Sequence, residues 1–547
     1  VVLHFLSSKL SPLTREFMVA CIIFVAVVAS RHITLDHPVE LSGDESELLV
    51  QVERYERDLM PWRSVDGSTI GPVNPWFLLV LKQVGWPMNY SAIHFLGALL
   101  LGAITVVSYF AVRLFLPFVG AALVGLAGTI AVGLSSSINF MYYATELFPA
   151  LALGVAVLGL VWARQKGRGA PLALMLASLV AGLAPWAKLQ AAPVALLICV
   201  FIAWAAWVDS ARERAWRVRF WLVGFVALAA LLPTVVIVWA VYAGGIFPDF
   251  WASYIVANLG YAGEFTWAKA GLRLGRLLYW SQLNGLMAGV AALAVHYLFT
   301  SRRSASVADD PARWLRAFAI VYLGTTLYCC IRPPHGFGHY HIFLIGPLFL
   351  AAGLWIRRLT RLERSDASIT WLPDRSVIVA LLVPVCLISG YNHVAGASLR
   401  LHLNGMRDNA DRDLPAVVCR EINRLAPEAS TMVVWGWMPT LYVRSGLFSA
   451  TRHTISHFLI DPGPSRDLLR EQFLREVLAA EPDVIVDAVA SDCFVWNWDV
   501  PSSGIESFPE FAAYVKANYA LVLNVIGDEE GVPLRVFVRP SCLAVQR

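Results

Sequence analysis

The sequence predicts an all-α polytopic membrane domain followed by a small α/β domain, and three features of the chain carry that prediction. The first is composition. Of 547 residues, 58% are hydrophobic and 15% charged, with a mean hydropathy of +0.61, whereas a soluble protein carries about 25% charged residues to cover its surface. The second is distribution, because the apolar residues gather in blocks near the ~20 residues that span a bilayer. The third is charge placement: Lys and Arg cluster in short loops between alternate blocks, as cytoplasmic loops do. Twenty tryptophans, many beside the blocks, suit the membrane–water interface. A net charge of +4 leaves no nucleic-acid footprint.

Eleven apolar blocks stand near 17–34, 91–112, 119–138, 147–163, 171–187, 190–208, 220–243, 277–299, 316–332, 340–356 and 376–396. The run from Phe17 to Ser30 is short enough to resemble a signal peptide, with Ser30 as a cleavage site. It is read as a retained helix, because the segment after it looks like a site that needs a tether. With eleven crossings, four basic loops share one side: Arg164, Lys166 and Arg168; Arg212, Arg214, Arg217 and Arg219; Arg302, Arg303, Arg313 and Arg316; Arg357, Arg358, Arg361 and Arg364. That side, shared with Lys9 and Arg15, is cytoplasmic by the positive-inside rule. The opposite loops are longer and poor in basic residues, and the first, 35–90, is rich in acids.

An odd number of crossings places the C-terminal third outside. The membrane domain is read as 1–396 and the extracytoplasmic domain as 397–547. In the latter, apolar runs shorten to strand length at Thr431–Trp435, Val484–Val486, Leu521–Ile526 and Leu534–Val538, with helical stretches at Asp467–Ala480 and Phe508–Asn518 between them. That alternation predicts an α/β domain. The eight cysteines make no CxxC pair and no zinc spacing. Cys419, Cys493 and Cys542 lie in the exported third, where two of them can pair as a disulfide.

The first external loop reads 41-LSGDESELLVQVERYERDLMPW-62. Leu48, Val52, Tyr55 and Leu59 recur at helical spacing, which predicts an amphipathic helix along the membrane surface. Asp44 and Glu45 stand at its N-terminus. A capping box, with Ser42 as N-cap and Glu45 reaching back, accounts for Glu45 and leaves Asp44 unassigned. Glu146 opens another helix in 140-FMYYATELFPALALG-154, beside Tyr142 and Tyr143; an ionisable group there is either functional or an interfacial acid facing water. The external segment 244–275 is either a mobile cover hinged on its glycines or an interfacial helix with aromatic anchors. Trp435 and Trp437 form one Trp-x-Trp pair, whose strand spacing puts both rings on one face for packing. Trp496 and Trp498 form a second pair, whose role stays open.

The acidic pair after the first helix, the 71-GPVNPWFLLV-80 re-entry, and Tyr-x-x-x-Glu-x-x-Pro at the fourth helix together resemble the GT-C superfamily. These are polytopic glycosyltransferases that use lipid-linked sugars, among them protein O-mannosyltransferases and lipid A aminoarabinose transferases. Lys188 in 183-LAPWAKLQAAP-193 resembles their lysine-bearing external loop, 338-GHYHIFLIGPLFL-350 looks like their entry into a late helix, and 434-VWGWMPTLYVRSG-446 is similar to the first strand and loop of many bacterial members' exported domains. The resemblance implies a polyprenyl-phosphate-linked sugar donor and a glycan, lipid or protein acceptor at the outer face of a bacterial inner membrane. It implies inverting transfer with Asp44 as the base, Glu45 as its alternate and Glu146 orienting the acceptor or holding a sugar hydroxyl. Lys188 and His339 would then serve the leaving phosphate. Arg332, His335 and Tyr340 stand on the same side, either as further donors to it or as snorkelling or interfacial residues outside the resemblance, and Tyr142 and Tyr143 form either a sugar-stacking surface or part of an interfacial aromatic belt. Two adjacent acids make a poor hard-cation site, so no metal and no cofactor is expected. The rival readings are a polysaccharide polymerase or ligase and a transporter of lipid-linked substrates. The second of these predicts charged, broken helices at the midplane, which the sequence lacks.

Overall fold

The computed structural model describes residues 11–166, 171–209, 216–263, 266–300, 313–334, 336–362, 374–489, 503–526 and 533–544. The chain forms two compact units. One comprises Val1–Asp36, Ile93–Val235 and Glu264–His402, the other His37–Ala92, Val236–Gly263 and Leu403–Arg547. The first is helical. Every apolar block is helical, and eight helices among the described residues are long and apolar enough to cross a membrane. Phe118–Gly133 and Pro171–Ala187, at 16 and 17 residues, reach only about 25 Å against a hydrocarbon core of ~30 Å. The block near 277–299 is broken: Trp267–Trp280 meets Asn284–Thr300 at 99°, and the two pass as one span only when taken together. The chain is therefore a multi-pass membrane protein.

Small residues let these helices approach closely, the usual device where lipid supplies no hydrophobic drive between them. A Cβ at Gly128 would lie 2.0 Å from the Phe349 ring, and one at Gly182 would lie 2.1 Å from the Ala230 carbonyl oxygen. A buried cation closes one helix end. Arg31, only 2% exposed, donates to the Ser135 carbonyl at 2.9 Å and also to that of Val132. The carbonyls at the end of Phe118–Gly133, orphaned inside apolar surroundings, thereby gain a partner.

The second unit is built on a five-stranded mixed sheet. Its strands are β1 (Thr431–Gly436), β2 (Phe448–Ser449), β3 (Val484–Ala488), β4 (Ala520–Ile526) and β5 (Pro533–Val538), in the order β2-β1-β3-β5-β4. β1 runs parallel to β2 and β3, with Val434 opposite Val486; β5 runs antiparallel to β3 and β4, with Val486 opposite Val536. All five residues of β3 are buried, as a central strand covered on both faces requires. Helices Leu414–Leu425, Arg466–Ala480 and Pro509–Asn518 contribute Ile422, Phe473 and Phe511 to the same core. Cys419 and Cys542 are both free thiols; Cys493, like Trp496, Trp498 and His335, lies outside the described residues.

The helix expected in the first external loop forms at Gly43–Arg57. Nine of its fifteen residues are buried, Glu45 and Glu47 among them, and Val50 enters the core beneath the sheet. Its apolar stripe therefore packs on protein within its own unit. Leu59 lies past the helix end and is 62% exposed. Segment 244–275 is helical across most of its described residues: Phe247–Phe250, a π-helical turn Trp251–Ala257, Asn258–Tyr261, then Trp267 onward. Tyr254 is buried, Trp267 is exposed, and Gly245 and Gly263 take positive φ.

Arg452 joins three segments of the second unit. Its guanidinium meets Asp249 at 2.7 Å, the Glu476 carboxylate and the Trp62 carbonyl, while Gln472 donates to the other Asp249 oxygen at 2.5 Å. Glu40 is half-buried and its Oε1 has no hydrogen-bond partner among the described residues. Burial pushes this carboxyl up to about 7, with adjacent Glu45 adding repulsion and Ser46 and Thr440 giving partial relief.

Two outcomes follow for detergent-solubilised chain. Arg452→Met strands two carboxylates in a partly buried site and destabilises the second unit by about 3 kcal/mol, read as a lower thermal midpoint and early proteolysis within 403–547. Glu40 starts from an unfolded value of 4.5, so the stability it allows below that value is lost as pH rises through about 7. Glu40→Gln therefore melts higher than the parent at pH 8, and thermal scans at pH 5 show the gap closing.

Candidate functional site

Asp44 and Glu45 occupy the first turn of Gly43–Arg57, the end where backbone N–H groups are unpaired and the helix dipole is positive. Ser42 is the N-cap with extended backbone, but its side chain makes no capping bond. Glu45 reaches one residue further back than a capping box requires: its Oε2 accepts the Leu41 N–H at 2.9 Å. Neither bond of the box forms: the N-cap hydroxyl stays out of it, and Glu45, buried, takes a structural role one residue further back. Asp44 differs from its neighbour. It is half-buried, and among the described residues no hydrogen bond or ion pair engages its carboxylate. Behind this turn runs a buried hydroxyl chain, Ser46 Oγ to Tyr90 Oη at 2.6 Å and Tyr90 Oη to Thr440 Oγ1 at 2.9 Å. Glu40 lies in the same surroundings and the sequence reading passed it over; its proximity to Thr440 is tertiary and has no signature in the local sequence.

In the first unit, three motifs far apart in sequence converge. Ala150 donates its N–H to the Glu146 carbonyl at 3.0 Å, so Glu146 sits just ahead of Leu147–Lys166. Lys188 follows Pro171–Ala187 in extended backbone, ahead of a 3-10 turn at Leu189–Ala191. His339 lies in the 3-10 turn Gly338–Leu344 that opens the next helix, Ile345–Leu362. Each polar residue therefore sits at a break between apolar helices. Lys188 Nζ is 3.2 Å and His339 Nε2 3.8 Å from the same Glu146 oxygen. Lys188 also donates to Thr145 Oγ1 at 2.8 Å, Thr145 Oγ1 donates to the other Glu146 oxygen at 3.2 Å, and the Tyr142 hydroxyl meets His339 Nδ1 at 2.8 Å.

Burial decides what this cluster is. Glu146 has no exposed surface, Lys188 is 5% exposed and His339 8%. Burial alone would push the Glu146 carboxyl up, but His339 and Lys188 outweigh it and hold the group below the ordinary carboxylate range. An interfacial acid facing water is excluded. Phe337 stacks on His339 with ring centroids 5.2 Å apart, and Tyr340 meets its edge at 4.7 Å. A Cβ at Gly338 would lie 2.7 Å from Asn139 Nδ2, so the His339 turn packs tightly on the Glu146 segment. Tyr143 is fully buried; Tyr340 is nearly so and accepts the Cys330 thiol on its carbonyl at 3.1 Å. Arg332 accepts from Arg273 on its backbone carbonyl at 3.0 Å. Thr145, which bridges Lys188 and Glu146, carried no signal by itself; it sits inside the Tyr-x-x-x-Glu motif.

No family model matches the sequence, and no curated protein matches it. Among solved structures, ArnT from Cupriavidus metallidurans bound to undecaprenyl phosphate aligns over 98% of this chain and 100% of its own, at 13% identity and a TM-score of 0.56. The apo state of that protein aligns over 96% and 99%, at 13% identity and a TM-score of 0.53. At that identity the likeness is one of fold: the chain has the fold of this polytopic membrane protein, helical domain and small mixed sheet included.

Proposed function

We propose that this chain is a GT-C glycosyltransferase of a bacterial inner membrane, moving a sugar from a polyprenyl-phosphate carrier to an acceptor on the extracytoplasmic side. The observation that carries the reading is the buried Lys188–Glu146–His339 cluster, where three motifs of the family resemblance meet. The ArnT structure holding undecaprenyl phosphate supports the donor class. Basic residues at Arg164, Arg217, Arg313 and Arg357, each at the same alternate set of helix ends, support the sidedness.

In the proposed reaction, Asp44 accepts the proton of the acceptor hydroxyl as that oxygen attacks the anomeric carbon. A new C1–O bond forms, the C1–O–phosphate bond breaks with its electron pair going to the phosphate oxygen, and configuration inverts. Asp44 suits this role because its carboxylate is unengaged and partly open. Glu45 is committed to the Leu41 N–H and serves as a cap. The leaving phosphate gains negative charge, which Lys188 and His339 offset; we assign that work to them rather than to a divalent cation. Glu146, having no exposed surface, positions both of these groups. Tyr142 fixes the His339 ring through Nδ1. Tyr143, Tyr340 and Arg332 support the walls of this segment.

Radiolabelled sugar transfer from polyprenyl-phosphate donors by purified chain tests the assignment. Asp44→Asn lowers kcat by about 10²–10⁴-fold with an unchanged thermal midpoint; full transfer by the folded variant would remove Asp44 as base. Lys188→Met lowers kcat/KM by about 10²-fold and Lys188→Arg restores part of it, measured across a donor titration. An unchanged kcat/KM in Lys188→Met would separate the cluster from the leaving phosphate.

A further inference from the structure

The N-terminus of Gly43–Arg57 meets a group of part-open aromatic rings at the edge of the core. Strand β1 ends at Gly436, whose φ of 127° carries the chain out of the sheet. Trp435 consequently stays in the core with no exposed surface, while Trp437 packs against the edge of the same core and is half-buried. Both rings pack, as strand spacing predicts, but only Trp437 keeps an open part. Trp437 rests on the first turn of the acid-bearing helix so closely that a Cβ at Gly43 would lie 2.5 Å from its indole nitrogen. Gly43 immediately precedes Asp44.

Three more rings join it. His457 is 2% exposed, with its centroid 5.6 Å from Trp437, 5.2 Å from Tyr261 and 4.7 Å from Phe458. Its Nε2 lies 3.2 Å from Asp461. The three rings around this buried His, Trp437, Tyr261 and Phe458, are each half-buried. They come from two separate segments of the second unit. Trp437 and Phe458 pack against the core on one side, yet each stays part-open where Trp435, Phe473 and Phe511 are fully covered. Partly open rings beside an unengaged carboxylate and a helix N-terminus offer an apolar face together with polar groups. A pyranose ring needs that combination, with C–H bonds on one face and hydroxyls around the rim.

We propose that Trp437, flanked by Tyr261 and Phe458, is a stacking platform for a pyranose ring of the acceptor, so that the acceptor is a glycan or glycolipid rather than a protein. This rests on Asp44 as the base of the proposed transfer, since Trp437 seats on Gly43, the residue before it. Gly43 is then a specificity-determining position, its missing side chain giving the indole its seat.

Saturation-transfer NMR on full-length chain in detergent micelles tests the platform directly, with methyl pyranosides as probes and an acetylated serine–threonine peptide as the protein-like control. Saturation reaches the ring C–H protons of at least one pyranoside and not the peptide. Trp437→Ala reduces it by about tenfold, while Trp437→Tyr and Asp44→Asn, matched to the parent in thermal midpoint, retain it. Absence of transfer to every pyranoside, an unchanged signal in Trp437→Ala, or transfer to the peptide alone would overturn the platform. Pyranoside binding that survives while Asp44→Asn keeps full sugar-transfer activity would leave the platform standing and remove the proposed base.

Discussion

An ionised carboxylate with no exposed surface is the constraint on which the first unit is organised. Glu146 cannot stay charged in an apolar bundle unless a cation and further polar groups reach it. Lys188 and His339 come from chain segments separated by about 150 residues; Lys188 sits where a helix gives way to a 3-10 turn, and His339 inside the 3-10 turn that opens the next helix. That requirement explains why Pro171–Ala187 stops at 17 residues: continuing it would carry Lys188 around the helix instead of into extended backbone facing Glu146. The tight seat of Gly338 against Asn139 serves the same end by pressing the His339 turn onto the Glu146 segment.

The second unit meets a different constraint, that of holding distant chain segments together around one small sheet. Arg452 does this with charge, taking two carboxylates and a carbonyl from three segments. The helix Gly43–Arg57 does it with burial, sending Val50 into the core while Arg57 lies over the Phe448 ring at 3.3 Å. The buried hydroxyl chain from Ser46 through Tyr90 to Thr440 adds polar contacts with every hydroxyl partnered, the condition under which a buried polar network stabilises rather than costs.

Much of this was legible in the sequence because the membrane imposes a long-period signal. Ten of the eleven apolar blocks became single helices, and four strands of the sheet stood out as short β-branched runs between helical stretches. Less visible were features whose cause is non-local. The broken helix at Ser281–Leu283 hides inside a block that hydropathy reads as continuous. The two-residue strand β2 is too short to show a period, and Leu414–Leu425 went unread although Asp413 caps it and Pro415 sits in its first turn. The helix at Gly43–Arg57 was found, but its partner was misjudged: a 3.6-residue stripe says that a face is apolar, and only the fold says whether lipid or protein covers it. At the site, the ordered motifs gave Glu146, Lys188 and His339. Thr145 and Glu40 escaped because their importance depends on what lies across from them.

Asp44 and Glu146 show how environment separates two acids that the sequence marks alike, each at the mouth of a helix. Glu146 has the Lys188 ammonium and the His339 ring beside it and no open surface, so its carboxylate is committed to these neighbours. Asp44 has the positive end of a helix, an indole on the preceding glycine and no bonding partner among the described residues. A proton acceptor must have a lone pair to offer and room for the group that gives the proton. A positioning residue needs neither, and gains from having both satisfied in advance. On that physical ground the half-open acid has what a proton acceptor needs, and the buried one has what a positioning residue needs. The same ground assigns Glu45, adjacent in sequence but turned back onto the Leu41 N–H, to structure.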